Sequence, residues 1–172
     1  MEEFLEFLRS RRSIRKFSQE RPPMDLLMKA IDVARYAPSA RNSQPWRFII
    51  IESDEVKKKL ASLHPYAKPL EEAPLAIVVT CQIDESPVSY MLDCGNATTY
   101  LLLALHAVGL GSVWIQALRN IDEVKAVISA PTNVIPVAIL AVGYPNEQPP
   151  TRPRKPLNEL VYLNKYGNKA IK

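Results

Sequence analysis

Only two histidines and two cysteines stand in the 172 residues, and that scarcity excludes much. His64 sits beside Pro65 in a turn and reads as a surface residue. His106 lies among leucines and reads as a satisfied core histidine. Neither has a second His, Cys or carboxylate beside it at metal-ligand spacing, so no metal centre is expected. Cys81 and Cys94 do not form a CxxC pair. Each falls in an apolar segment, and both read as reduced core residues. No nucleophile–base pair and no P-loop can be assembled. The one GxG, Gly109-Leu110-Gly111, follows a helix pattern and precedes a strand, the reverse of dinucleotide-binding order, and its third glycine is missing. Repeats and low-complexity tracts are absent. The longest apolar stretch, Thr99 to Leu118, is broken by Gly109 and Gly111 into a helix and a strand, so no membrane helix is expected. Met1-Glu2-Glu3 is acidic with no long apolar region behind it. No signal peptide is expected, and the protein reads as cytoplasmic.

What is present suits one soluble domain. Hydrophobic content is 47% and charged content 23%, ordinary for a globular chain. The length supports one real core, so residues 1–172 form a single domain. A net charge of +4 suits anionic ligands without calling for nucleic acid. The periodicity predicts helices over 2–10, 24–37, 54–63, 86–108 and 122–128, and strands over 46–51, 75–81, 112–116 and 135–142. Ser53 is a plausible N-cap for the third helix. Residues 64–73 read as a loop or short helix. From Gln148 onward, Pro149, Pro150, Pro153 and Pro156 make 148–172 an extended C-terminal arm. In it Leu157, Leu160, Val161 and Tyr162 form an apolar patch suited to wrapping a partner. The alternation of elements alone fits α/β and α+β equally well.

Three polar stretches carry the chemistry. The first is Ala37-Pro38-Ser39-Ala40-Arg41-Asn42-Ser43-Gln44-Pro45-Trp46-Arg47-Phe48. Its prolines stop helix and strand from running through. Such a connection is either solvated loop or a binding loop on a rigid scaffold. Gln44 serves either to satisfy backbone groups or to bind, and Trp46 either packs in the core or binds. The second is the basic run Arg9, Arg11, Arg12, Arg15, Lys16, Arg21. It is either a solvated face or a phosphate site, for which the planar fork of arginine is well shaped. The third, Arg152 and Arg154, is a solvated tail or part of the same site.

The loop resembles the Pro-Ser-x-x-Asn-x-Gln-Pro-Trp-x-Phe signature of the FMN-dependent nitroreductase family. Arg11-Arg12-Ser13-Ile14-Arg15-Lys16-Phe17, Gly109-Leu110-Gly111-Ser112-Val113-Trp114-Ile115-Gln116 and Arg152-Pro153-Arg154-Lys155-Pro156-Leu157 agree with the family too, in its order and over almost the whole chain. The chain is identified as a short, single-domain member. The resemblance implies an α+β fold: a three-layer α/β/α sandwich with a mostly antiparallel sheet of four or five strands. It places the long central helix at a homodimer interface, with FMN bound between subunits. It implies that Arg11, Arg12, Ser13, Arg15, Arg152 and Arg154 meet the phosphate, ribityl chain or pyrimidine edge. Pro38, Ser39, Ala40 and Asn42 approach the flavin from the partner subunit, and Gln44, part of the same signature, is a cofactor-binding candidate. Trp114, Ile115, Gln116 and Ala117 run along the ring, with the backbone amides near Gln116 and Ala117 facing N5 and O4. Longer relatives often have Glu-Gly where this chain has Gln-Ala. A cation at Arg15 would favour charge at the flavin N1–O2 edge.

The implied activity is that of an FMN-dependent NAD(P)H oxidoreductase. A hydride from NADH or NADPH passes through FMN to a nitroaromatic, quinone or similar small acceptor. No amino acid acts as a covalent catalyst, since the cofactor carries the chemistry. Two alternatives stand beside it. One is a specialised family member, a reductive dehalogenase or flavin-modifying enzyme, which calls for extra substrate-binding segments that this sequence lacks. The other is a non-catalytic flavin-binding protein. Only Ile83 to Pro87 separate the central strand from the long helix, so a more open pocket and looser substrate choice are expected.

Overall fold

A computed structural model describes residues 1–171, so the last residue of the predicted arm, Lys172, lies outside the described residues. The elements in chain order are α1 (Glu2–Ser10), α2 (Met24–Ala34), β1 (Trp46–Ile51), α3 (Asp54–Ser62), α4 (Pro69–Glu72), β2 (Leu75–Gln82), α5 (Tyr90–Ala107), β3 (Gly111–Gln116), α6 (Ile121–Ile128), β4 (Val134–Gly143) and α7 (Leu157–Leu160). The four strands form one sheet in the order β1-β2-β4-β3, and every neighbouring pair is antiparallel. The fold is α+β, as the resemblance implied, with four strands.

The alternation of side chains along a strand explains the layers. On β2, Leu75, Ile77, Val79 and Cys81 point to one face, where they pack with Leu27, Leu101 and Leu105 of α2 and α5. Ala76 and Val78 point to the other, against Leu60 of α3, Leu70 of α4 and Val124 of α6. A strand buried on both faces must be apolar throughout, which is why this segment reads as an unbroken hydrophobic run. Ser53 caps α3, its hydroxyl accepting from Val56 N at 3.4 Å.

Two helix boundaries differ from expectation. α2 ends at Ala34, not Ala37. Tyr36 N and Ala37 N turn back to Val33 O and Ala34 O, both at 3.1 Å, and the tightened turn leads the chain out of helix before Pro38. α5 begins at Tyr90, not Ser86. Ser86 does not cap the helix, because its Oγ donates to Asp93 Oδ2 at 2.6 Å and residues 83–89 form turns.

The cysteines depart from the reduced expectation. The turns over residues 83–89 fold the first turns of α5 back onto the end of β2. Cys81 and Cys94 then stand with Cα atoms 6.2 Å apart and are joined as a disulfide. That spacing lies within disulfide range. A bond closing a loop of this size stabilises by about 3 kcal/mol. Protein unfolded in denaturant without reductant should therefore titrate no free thiol, and reduction should lower its melting temperature by roughly 10 °C. Two thiols appearing before reduction would show that the bond does not form.

His106 is also not a core residue. It is half-buried at the α5 surface, where its ring stacks on Phe7 at 5.0 Å and its Nε2 meets Ser10 Oγ at 2.9 Å. It therefore docks α1 onto α5. Burial, then the Arg11 and Arg12 guanidiniums, hold its pKa below the ordinary histidine value. The folded state thus binds the proton more weakly than the unfolded chain. Stability is intact above the unfolded pKa and falls as pH drops through about 6.5 toward the lower folded value. Wild type should lose more melting temperature between pH 7.5 and 5.5 than His106→Leu loses over the same interval, read by calorimetry; parallel losses would remove His106 as the cause.

Candidate functional site

Beyond α1 the chain turns extended and follows the sheet margin. Ser13 bridges Ser112 and Phe17 bridges Pro145. Ile14 N donates to Ser112 O at 3.0 Å, and Asn146 N to Lys16 O at 2.9 Å. Ile14 and Phe17 are the apolar pins, both buried in the core beneath. Gly111 lets the first pin in: a Cβ there would lie 2.9 Å from three Ile14 atoms. The Glu147 carboxylate steadies the segment by accepting from Arg15 N at 2.5 Å and Lys16 N at 3.2 Å. With the apolar residues inward, the arginines face out.

The C-terminal arm then returns to them. Arg12 donates to Thr151 Oγ1 at 2.7 Å. A cavity of about 190 Å³ is lined by Arg11, Arg12, Ser13, Arg15, Arg152 and Arg154 together with Pro149 and Pro150. Two basic stretches from opposite ends of the chain thus meet in one cavity with no acidic side chain in its wall. Among the described residues, none of these five arginines forms an ion pair. Burial and the neighbouring Arg12 and Arg154 lower the pKa of Arg11. Crowded cations without a counter-charge fit a multiply charged anion such as a phosphomonoester.

Arg15 belongs to two cavities. The second, about 600 Å³, runs along β3 and is lined by Trp114, Ile115 and Gln116 with Lys16, His64, Tyr66, Lys68, Glu72 and Arg119 among others. β3 is an edge strand. Since Ser112 O faces outward to Ile14, the alternation of an antiparallel ladder turns the N–H and C=O of Trp114 and Gln116 outward as well. Those of Val113 and Ile115 turn toward β4. Ala117 departs from expectation: its residue is fully buried and its N–H donates to Val137 O at 3.4 Å. Only the Gln116 amide of that pair is open to a ligand.

The Pro38–Gln44 loop stands apart. None of its residues lines either cavity. Pro38, Ala40, Asn42 and Gln44 are exposed, and Ser39 is half-buried. Arg41, Asn42 and Gln44 have φ of 54°, 57° and 48°, a left-handed backbone that non-glycine residues rarely adopt. Gln44 Nε2 donates to Asn42 O at 3.2 Å, so part of its role is internal. Trp46, 5% exposed, is a core residue.

Lys16, His64, Tyr66, Lys68, Glu72 and Arg119 were absent from the expected site. His64-Pro65-Tyr66-Ala67-Lys68 shows an aromatic and basic character in the sequence, but its place beside β3 depends on the strand order. His64 is half-buried rather than a plain surface residue, and its Nδ1 accepts from Tyr66 N at 3.2 Å.

Comparison with known proteins gives a consistent answer. The model of the nitroreductase family matches residues 8–64 and 62–144. A Methanothermobacter thermautotrophicus protein carrying the name Putative NADH dehydrogenase/NAD(P)H nitroreductase is 37% identical, with 86% of this chain and 80% of that one covered. An iodotyrosine deiodinase of Thermotoga neapolitana is 30% identical over 94% of this chain and 97% of that one. The solved structure of an FMN-dependent nitroreductase from Clostridium difficile R20291 superimposes with a TM-score of 0.86 at 28% identity, covering 94% of this chain and 99% of that one.

Proposed function

This chain belongs to the nitroreductase family, and from that premise we propose that it is an FMN-dependent NAD(P)H oxidoreductase acting as a cytoplasmic homodimer. The observation that carries the proposal is the meeting of Arg11, Arg12, Arg15, Arg152 and Arg154 at a cavity without counter-charge, adjoining through Arg15 a larger cavity on the free edge of β3. One end fits a phosphate and the other a planar ring with polar edges. FMN, when bound, supplies the redox chemistry, taking a hydride from NADH or NADPH and passing electrons on to a nitroaromatic, quinone or similar acceptor in a ping-pong cycle.

The residues do the binding and orienting. The arginines hold the phosphate by charge-assisted bonds, with Ser13 beside them. Arg15, at the junction, sets a positive charge next to the ring cavity, where it favours a ligand that gains negative charge. The outward amides of Trp114 and Gln116 can donate to polar atoms on the ring edge. Pro38, Ser39, Ala40, Asn42 and Gln44 are assigned to the flavin of a second subunit, because within one chain they line neither cavity. The homodimer is supported by exposed apolar side chains on α1 and α5, among them Phe4, Leu5, Met91, Leu92 and Tyr100, which a partner subunit would cover. The C-terminal arm adds Leu157, Leu160 and Val161, also exposed. Among the described residues no helix is long and apolar enough to cross a membrane.

A second reading is favoured by one comparison. The similarity to an iodotyrosine deiodinase supports a reductive dehalogenase on the same scaffold. Visible absorbance of the purified protein, followed by anaerobic NADH or NADPH, separates the readings. A flavin spectrum that bleaches with nicotinamide and returns with a quinone is the expected result. Turnover of 3-iodo-L-tyrosine with no response to quinone would favour the dehalogenase. A colourless protein that takes up no added FMN would overturn both.

A further inference from the structure

A carboxylate outside both cavities holds the flavin loop. Asp93 is 3% exposed and lies in the first turn of α5. Its Oδ1 accepts from Ala40 N at 3.0 Å, and its Oδ2 accepts from Ser86 Oγ at 2.6 Å. No cation pairs with it among the described residues. Burying a carboxylate without a cation is costly unless each oxygen is satisfied, and the N-terminal turn of a long helix eases that cost. One turn further along, Asn96 Nδ2 donates to Pro38 O at 3.2 Å. One helix face therefore grips the loop at Pro38 and Ala40.

The loop needs such a grip. Arg41, Asn42 and Gln44 all have positive φ, a strained state that persists only where surrounding contacts over-determine it. Its internal bonds are short-range: Asn42 N to Ser39 O at 3.1 Å, Ser43 N to Ala40 O at 3.0 Å and Gln44 N to Ser39 Oγ at 3.0 Å. These shape the loop but do not anchor it. We propose that Asp93 is a positioning residue that, with Asn96, fixes the strained Ser39–Gln44 loop at the height and angle at which it meets the flavin. This rests on the assignment of residues 38–44 to the cofactor. The two oxygens of the buried carboxylate, one on the loop and one on the turn before α5, set the distance between those segments.

The test compares Asp93→Leu, Asp93→Asn and Asn96→Ala in the full-length chain. FMN and riboflavin titrations by fluorescence quenching are read beside visible flavin circular dichroism and apoprotein melting. Asp93→Leu is expected to weaken both flavins by the same factor, about tenfold, since the loop acts on the ring and not the phosphate. It should also alter the flavin dichroism. Asp93→Asn, which can accept from Ala40 N and donate to Ser86 Oγ, should restore affinity to within about threefold, and Asn96→Ala should lose about threefold. A lower melting temperature with flavin affinity and dichroism unmoved would overturn the proposal, leaving Asp93 a stability residue. Asp93→Asn as weak as Asp93→Leu would overturn it too. If Asp93→Leu does not fold, Asn96→Ala and Ser86→Ala decide: unchanged affinity and dichroism in both count against it. Wild type that takes up neither flavin sinks the cofactor assignment itself, whereas wild-type binding with unmoved variants sinks this inference alone.

Discussion

Arg11→Met should weaken FMN binding by about a hundredfold and at the same time raise the melting temperature of the apoprotein. The two effects have one cause. Arg11 is partly buried beside Arg12 and Arg154, and its pKa is lowered first by that burial and then by their charge. The charged form is therefore disfavoured in the folded chain relative to the unfolded one. Arginine stays charged at any ordinary pH, so the penalty is present throughout and no pH window relieves it. Methionine keeps much of the apolar stem and removes the charge, so the apoprotein should melt slightly higher. A bound phosphate reverses the sign: each charge-assisted bond adds about 1.5–3 kcal/mol, and a bidentate arginine supplies two. Riboflavin, which lacks the phosphate, should bind wild type and variant alike. Arg11→Lys should recover only part of the loss, because an ammonium cannot make the fork contact. Equal losses for FMN and riboflavin would place Arg11 elsewhere than at the phosphate.

The distribution of those arginines shows what the sequence discloses and where it stops. Arg11, Arg12, Arg15, Arg152 and Arg154 could be picked out as anion-binding by side-chain chemistry, and the family resemblance put them in one site. Their meeting depends on Ile14 and Phe17 pinning the first stretch to the sheet margin and on Thr151 receiving Arg12. No local pattern encodes that. The β2 and β4 runs were legible because burial on both faces leaves an unbroken apolar signature. The strand order was not legible, and with it went the position of His64, Tyr66 and Lys68 beside β3. The Cys81–Cys94 bond was hidden for a different reason: the tight turns over residues 83–89 fold the start of α5 back onto the end of β2, and no periodicity in the sequence discloses that angle. At Ala117 the difficulty is phase: a shift of one residue at a strand end decides whether an amide faces the neighbouring strand or open space. Asp93 gave no motif signal at all. Its role follows only from its two oxygen partners, Ala40 N and Ser86 Oγ.

Two defective chains should repair each other if the flavin site is shared between subunits. Arg154→Ala with Arg11→Met removes phosphate binding from one chain. Ala40→Trp, at an exposed loop position, blocks the loop of the other without touching either cavity. Each homodimer should fail to hold FMN. In a mixed dimer one site combines both defects, while the other combines the intact arginines of the loop variant with the intact loop of the arginine variant. Random exchange makes about half the dimers mixed, so about one quarter of wild-type FMN capacity should return, at wild-type affinity. If the loop served the cavity of its own chain, every site in every dimer would carry a defect and nothing would return. The outcome bears on the geometry of the fold. The loop hangs from the first turns of α5, and β3 leaves from the far end of that helix after Gly109 and Leu110. β1, which the loop leads into, and β3 are the opposite edges of the sheet with β2 and β4 between them, and at about 4.8 Å per strand step they stand roughly 14 Å apart, so the loop lines no part of the cavity along its own β3. An antiparallel pairing of two α5 helices would bring the loop of one chain toward the β3 of the other. Recovery of binding on mixing would show that the dimer is the smallest unit able to close a flavin site.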